Sequence, residues 1–298
     1  LKEPISLFNE APAFKMMSAK EISKGKIIFD FEGDRHHIDI KLLSEVPKNF
    51  KSEYKFDLTK DSIYYWYSKI NTDSLVFNIK KENYSDTLTV FLRKKTLDSL
   101  KINSNIVNIL DLKDTLTLTS NNPVTEIDTT KILFFDKDSL TVSYQPILEK
   151  TTNKIHFVFN KKYNSNYRLT FLPKALTDIF ETQNDTLNYI FKTKEPEDYG
   201  SISINLNNNS SSPVFLELVR ESDKKVIQKI ATSTTSNILF ELIPPGRYMV
   251  RAILDTNNNN NWDTGNYLKK LQPESVIYLP ITFNLKANWS FSETFVIE

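Results

Sequence analysis

The stretch PPGRYMVRAILDTNNNNNWDTGNYLK, residues 244–269, joins the strongest strand signal in the chain to a run of oxygen-bearing side chains. After the Pro-Pro-Gly turn, Tyr248, Val250, Ala252 and Leu254 fall on one face and Met249, Arg251 and Ile253 on the other, which is the period-2 alternation of a β-strand. The strand runs directly into Asp255. Asp255, Asn257, Asn259 and Asp263 then occupy positions 1, 3, 5 and 9 of a compact loop, with the backbone carbonyl of Asn261 at position 7. A hard cation such as Ca2+ takes about six to eight oxygens at ~2.3–2.6 Å, and a loop folded on itself supplies them from alternate residues. These five residues are therefore a candidate structural Ca2+ site. Two positions depart from an EF-hand loop: Asn260 stands at position 6 in place of Gly, and Asn266 at position 12 in place of the bidentate Glu. Asn tolerates the left-handed conformation less well than Gly but better than most residues. The same run also reads as an Asn-rich hairpin turn with no metal, because Asn and Asp populate turns in their own right.

A length of 298 residues corresponds to two or three domains. Hydrophobic content of 40% and charged content of 25% provide enough apolar material for real cores. The net charge of +1 offers no basic field for nucleic acid and no acidic field for cationic partners. No apolar run approaches the ~20 residues that cross a bilayer, and Leu1 does not begin a signal peptide. The expectation is a soluble chain, or the body of a protein whose anchor lies outside this sequence.

Catalytic signatures are missing. With no cysteine, disulfides, zinc-thiolate sites and thiolate nucleophiles are excluded. The five glycines, Gly25, Gly33, Gly200, Gly246 and Gly265, write neither a P-loop nor a dinucleotide fingerprint. His36 and His37 are neighbours on an expected strand and face opposite sides, while His156 in the strand at 155–159 reads as a satisfied structural histidine. Carboxylates are plentiful, but a hydrolytic pair needs a separation that sequence does not supply. The chain is expected not to be an enzyme.

The first hundred residues read as short strands at 27–31, 37–43, 62–67, 75–79 and 88–92, separated by polar turns. Tyr64, Tyr65, Trp66 and Tyr67 form an aromatic cluster in which alternation separates Tyr65 and Tyr67 from Tyr64 and Trp66. Trp66 with Tyr64 is the pair expected inside, and the cluster is also a candidate sugar-stacking platform. Eight tripeptides of Asp, Ser or Thr, and an aliphatic residue or Thr begin at Asp61, Asp73, Asp86, Asp98, Asp114, Asp128, Asp138 and Asp185. Each is a turn residue handing over to a strand, the rhythm of an all-β sandwich. The tripeptide also resembles the O-glycosylation site of exported Bacteroidetes proteins, which implies sugars on exposed turns.

From residue 108 the order of elements resembles a known domain. A strand precedes Asn122-Pro123-Val124, Asp128 precedes Lys131-Ile132, and a strand at 167–172 runs into Pro173-Lys174-Ala175-Leu176-Thr177-Asp178. Asn184-Asp185-Thr186 and Ile190-Phe191-Lys192-Thr193 close the unit. This resembles the SbsA-type bacterial Ig-like domain over roughly residues 108–195, and the resemblance implies a short helical turn after the Pro-Ala-Leu-Asp element, a spacer or adhesive role and an extracytoplasmic location. After a linker at Glu195-Pro196-Glu197-Asp198-Tyr199-Gly200, strands at 201–206, 214–220, 226–231, 237–242 and 247–254, with Pro245-Gly246-Arg247-Tyr248 as the turn, resemble the carboxypeptidase regulatory-like or transthyretin-like sandwich. The tail, with Asn266-Tyr267, Gln272-Pro273-Glu274 and Ala287-Asn288-Trp289, is similar to the C-terminal region of exported Bacteroidetes Ig-like-domain lipoproteins, whose loop has Gly where this chain has Asn260.

The expected fold is all-β, three β-sandwich domains of Ig-like or prealbumin-like type in series, over residues 1–107, 108–195 and 196–298. The expected function is a non-catalytic cell-surface scaffold or protein-interaction module, an accessory lipoprotein subunit of a bacterial outer-membrane complex, with a glycan-binding surface lipoprotein as the alternative. The resemblance implies an outer-membrane or surface protein partner, a location at the outer-membrane surface or in the periplasm, and attachment only through a lipid anchor outside this sequence.

Overall fold

Residues that alternate between apolar and polar bury one face of each strand, and three separate cores result. The computed structural model of the chain describes residues 13–33, 37–57, 60–93, 96–210, 212–232, 236–265 and 270–297. Among these, strands alternate only with turns and short 3-10 segments, and no helix is long and apolar enough to cross a membrane. The chain is all-β.

The first core is enclosed by β1 (Lys15–Ser23), β2 (Lys26–Glu32), β3 (Asp39–Leu42), β4 (Ser52–Asp57), β5 (Ser62–Tyr67), β6 (Ser74–Lys81) and β7 (Tyr84–Phe91). They form two antiparallel sheets, in the orders β1-β2-β5-β4 and β3-β6-β7. Phe29 of β2 and Tyr65 of β5 both pack edge-on against Phe77 of β6, each with ring centroids 5.1 Å apart. This overturns the expectation that Trp66 and Tyr64 face the core. Pairing of Ile27 with Tyr65 and of Phe29 with Ile63 puts Ile63, Tyr65 and Tyr67 on the inner face. Trp66 is only 2% exposed, but on the opposite face of the sheet. The strand expected at 37–43 is shorter, because His37 takes a left-handed φ of 60° in the preceding turn. His36 lies outside the described residues. β1, KMMSAKEIS, was not legible because it carries no clean apolar alternation, and β4, SEYKFD, because its alternation rests on Tyr54 and Phe56 alone.

The second core lies among β8 (Ile102–Ser104), β9 (Ile109–Leu110), β10 (Leu116–Ser120), β11 (Val124–Ile127), β12 (Ile132–Asp136), β13 (Tyr144–Glu149), β14 (Lys154–Phe159), β15 (Asn166–Phe171), β16 (Leu176–Asp178) and β17 (Leu187–Thr193). The sheets run β13-β14-β10-β8 and β12-β15-β17-β9, with β11 and β16 as a separate ribbon. Phe157 and Phe171 meet across the core with their rings perpendicular and 5.7 Å apart. Ser104 pairs with Leu118, and Leu100, Ile102 and Ile106 pack on this core, so it reaches back ahead of the boundary read at residue 108. After β16 the chain makes a tight turn, with Glu181 at φ 65°, rather than the implied helical turn. The cause is Asp178. Its buried carboxylate accepts the N–H groups of Phe180 and Thr182, both at 2.9 Å, together with the Asn122 amide at 2.9 Å.

The third core is built by β18 (Gly200–Asn208), β19 (Val214–Arg220), β20 (Val226–Thr232), β21 (Ser236–Ile243), β22 (Gly246–Leu254), β23 (Val276–Leu285) and β24 (Ser290–Ile297). The orders are β21-β18-β24 and β20-β19-β22-β23. β24 lies parallel to β18, from Ser201 opposite Ser290 to Asn208 opposite Ile297, whereas the other described pairs of this sandwich are antiparallel. The strand read at 247–254 supplies Tyr248, Val250 and Ala252 to this core, as its alternation implies. By compactness the chain divides into two units, one holding the first two sandwiches and the other the third.

Of the Asp-Ser/Thr tripeptides, Thr87, Ser99, Thr115, Thr129, Ser139 and Thr186 are exposed. Ser62 is buried in β5 and offers no surface for a sugar.

Gly200 opens β18 at a close backbone approach. A Cβ there would stand 2.6 Å from Leu285 Cγ and 2.8 Å from the Trp289 carbonyl oxygen, which also accepts the Ser201 N–H. Gly200→Ala is expected to destabilise the third sandwich by about 1–3 kcal/mol, the range for overpacking. Thermal melting measures this, and an unchanged midpoint would contradict the close approach.

Candidate functional site

β22 ends at Leu254 and β23 begins at Val276, so the loop between them is held at its base by backbone bonds. Leu254 N–H donates to the Ser275 carbonyl at 3.0 Å and Asp255 N–H to the Pro213 carbonyl at 2.9 Å. Asp255, 1% exposed, organises the Asn run. Its Oδ1 accepts the Asn259 N–H at 3.0 Å and its Oδ2 the Asn260 N–H at 2.7 Å. The Asn257 Oδ1 also accepts the Asn259 N–H, and the Asn259 Oδ1 accepts the Asn261 N–H at 2.6 Å. The amides of Asn257 and Asn259 donate to Asp263 Oδ2. All five residues singled out by spacing, Asp255, Asn257, Asn259, Asn261 and Asp263, thus belong to one network. Asn260 adopts φ 58°, the left-handed conformation that position 6 demands, and Asn258 adopts φ 57°. Asn266 lies outside the described residues.

Spacing missed the brace of this loop. Glu274, 8% exposed, lies beyond the loop in sequence and against it in space. Its Oε1 accepts the N–H and hydroxyl of Thr256, at 2.8 and 3.1 Å, and its Oε2 accepts the Asp263 N–H at 3.1 Å. The Trp262 indole N–H donates to the Glu274 carbonyl at 3.0 Å. One carboxylate therefore ties both ends of the Asn run, and the only sequence signal was an acid just before an apolar strand.

The donor set fits a hard cation in kind, since each side-chain oxygen that accepts one N–H keeps a second lone pair. The charge is modest. Two carboxylates, Asp255 and Asp263, line the loop, and Glu274 is turned to backbone N–H groups. Among the described residues no three His, Cys, Asp or Glu side chains converge as a metal-binding group. Lys229 donates to the Asn260 carbonyl while lying 3.8 Å over the Phe215 ring, and its ammonium beside the loop opposes a second cation.

Among the described residues of the first compact unit, cavities include the following two. One of about 410 Å³ is lined by Phe135, Asp136, Lys137, Asn166, Tyr167 and Arg168. The other, about 400 Å³, is bounded by Lys26, Lys55, Asp57, Tyr64 and Trp66 of the first sandwich and Asn121, Thr152, Asn153 and Lys154 of the second. Among the described lining residues each has one carboxylate, Asp136 or Asp57, where glycoside hydrolysis uses two. His156 has both ring nitrogens occupied, 3.0 Å from the Thr117 hydroxyl and 3.0 Å from a Glu149 oxygen.

No family model matches the chain, and no curated protein does. Solved structures similar to parts of it include alpha-2-macroglobulin from Escherichia coli spanning domains MG0-NIE-MG1, 14% identical over 61% of this chain and 71% of that one, with a TM-score of 0.31. The N-terminal part of the bacterial S-layer protein SbsC is 12% identical over 61% of this chain and 43% of its own, with a TM-score of 0.32. BcpA, the major pilin subunit of Bacillus cereus, is 10% identical over 91% and 84%, with a TM-score of 0.22. Likeness at these levels carries no inference about activity or partners.

Replacing Glu274 by Ala removes the acceptor of the part-buried hydrogen bonds from the Thr256 and Asp263 N–H groups. The expected cost to the third sandwich is about 0.5–1.5 kcal/mol for each hydrogen bond lost, since water can replace the acceptor at these part-exposed positions, with faster amide exchange at both residues. Unchanged exchange there would show that Glu274 is not the brace.

Proposed function

We propose that the chain is a non-catalytic cell-surface scaffold or protein-interaction module, an accessory lipoprotein subunit of a bacterial outer-membrane complex. The observation that carries this reading is the Asp255–Asp263 network. The most organised polar cluster of the third sandwich is committed to holding its own loop, with every carboxylate engaged by backbone or amide donors. Such a site stiffens a module; it presents no nucleophile and no free base. The single carboxylate in each cavity and the occupied ring of His156 support the same reading. The outer-membrane placement, the lipid anchor and the SbsA-type and carboxypeptidase regulatory-like assignments rest on the sequence resemblances over residues 108–298. Recovery of an outer-membrane barrel in stoichiometric amount with the protein from gently solubilised membranes is the expected outcome; recovery of the protein alone would contradict the accessory role.

Ca2+ held by Asp255, Asn257, Asn259, the Asn261 carbonyl and Asp263 is part of the proposal, as a structural ion in the third sandwich. A ligand bound only by the folded state stabilises it, by about 2.7 kcal/mol at one hundred times its Kd. Calcium is therefore expected to raise the melting midpoint of this sandwich, by roughly 4–8 °C per kcal/mol for a domain of this size. A melt unmoved between calcium and EGTA would remove the ion.

A second reading, a glycan-binding surface lipoprotein, is favoured by one observation. Trp66 and Tyr64 line a cavity of about 400 Å³ together with amide, hydroxyl and ammonium groups.

A further inference from the structure

The outer face of β5 in the first sandwich carries groups that its own fold does not use. Trp66 is buried, yet among the described residues its indole N–H has no hydrogen-bond partner. An orphan buried donor is costly, and native proteins rarely keep one without a reason. The cavity that Trp66 lines also holds three lysines and one acid: Lys26, Lys55 and Lys154 against Asp57. Lys26 lies 4.8 Å from the Tyr64 ring centre and 5.2 Å from that of Trp66. Lys55 donates to the Thr152 carbonyl at 2.8 Å. Burial holds the ammonium groups of Lys26 and Lys55 below the usual lysine range, and like charge adds to it: Lys26 feels Lys55, and Lys55 feels Lys154. Asp98 opposes this at Lys26, and Asp57 and Glu149 oppose it at Lys55. The cavity thus concentrates positive charge and N–H donors in a volume within the ~300–1,000 Å³ range of small-ligand sites.

We propose that this cavity binds an acidic saccharide, its carboxylate held by Lys26, Lys55 and Lys154. An incoming carboxylate relieves the mutual repulsion of the lysines. The half-buried Tyr64 provides an apolar wall for a sugar ring, and the half-buried Asn121 and Lys154 of the second sandwich supply amide and ammonium groups. Several points favour a sugar acid over an inorganic anion: an aromatic wall, polar groups on two sides, and a volume larger than a small oxyanion needs. The inference rests on the glycan-binding reading and sharpens it to one ligand class and one site.

The test is calorimetric titration of the full chain with trigalacturonate, with the neutral galactose trisaccharide and with sodium sulfate. Trigalacturonate is expected to bind at least about tenfold more tightly than either control, the ratio that one lost charge-assisted hydrogen bond confers, and to weaken as salt rises. Lys55→Gln keeps most of the stem and an N–H donor and removes the charge, so affinity is expected to fall about tenfold, with the melting midpoint checking that the fold is kept. Lys154→Gln is expected to weaken binding similarly. Equal affinity for the acidic and neutral sugars would overturn the inference and leave the glycan reading standing. Binding of neither sugar would overturn both. Sulfate binding as tightly as the saccharide, or unchanged affinity in both variants, would also overturn the assignment.

Discussion

A strand can bury only one of its two faces in the core of its own sandwich, and the rest of this structure depends on how that constraint is met. Each core is closed by aliphatic and aromatic side chains from two opposed sheets, as in the first sandwich, where Phe29, Tyr65 and Phe77 interlock. Burying such a side chain is worth about 1.5–3 kcal/mol, so a one-residue slip that turns a strand inside out is prohibitive. In the third sandwich the parallel pairing of β18 with β24 brings the end of the chain beside the strand that opens the sandwich. Sheet order and register follow from which face is apolar. The outer face of β5 carries Trp66, which is covered as well, outside the core of its own sandwich.

Strands leave unpaired N–H groups wherever the chain turns under cover, and each sandwich meets that demand with a buried carboxylate. In the first, Glu21 accepts the Tyr67 hydroxyl at 2.6 Å and the N–H groups of Arg93 and Gly25 at 2.7 and 3.3 Å. Burial, together with the presence of that carboxylate, pushes the Tyr67 hydroxyl far above the usual tyrosine range. In the second, Asp178 gathers Asn122, Phe180 and Thr182. In the third, Asp255 and Glu274 share the work around the Asn-rich loop. Charged acceptors form stronger hydrogen bonds than neutral ones, and turns held this way keep fixed positions without a metal or a disulfide. A cation at the Asp255–Asp263 loop would therefore add to an existing frame.

Much of this was legible in the sequence, and the remainder was hidden for physical reasons. Strands that are dense apolar or aromatic runs, such as 62–67 and 214–220, have the bounds read from the sequence. β1 lacks an apolar pattern because polar residues occupy half-covered positions, and β4 shows only the two-residue alternation of Tyr54 and Phe56. The inward face of β5 was misjudged: with aromatics on both faces, periodicity defines two sets but not which one meets the opposing sheet. Pairing with Ile27 and Phe29 decides it. The loop residues were found by spacing because their roles are local. Glu274 escaped because it reaches the loop across the chain, a relation with no periodic signature.

The claim most central to this account is that the third sandwich, with its loop, is held by its own core. The direct measurement is an amide 1H–15N spectrum of residues 193–298 expressed alone, compared with that of the full chain. Dispersed signals, with those of Asn257 to Asp263 at the same positions in both spectra, are the predicted result. A collapsed, random-coil spectrum would contradict the account, because its core residues would then need the remainder of the chain to fold.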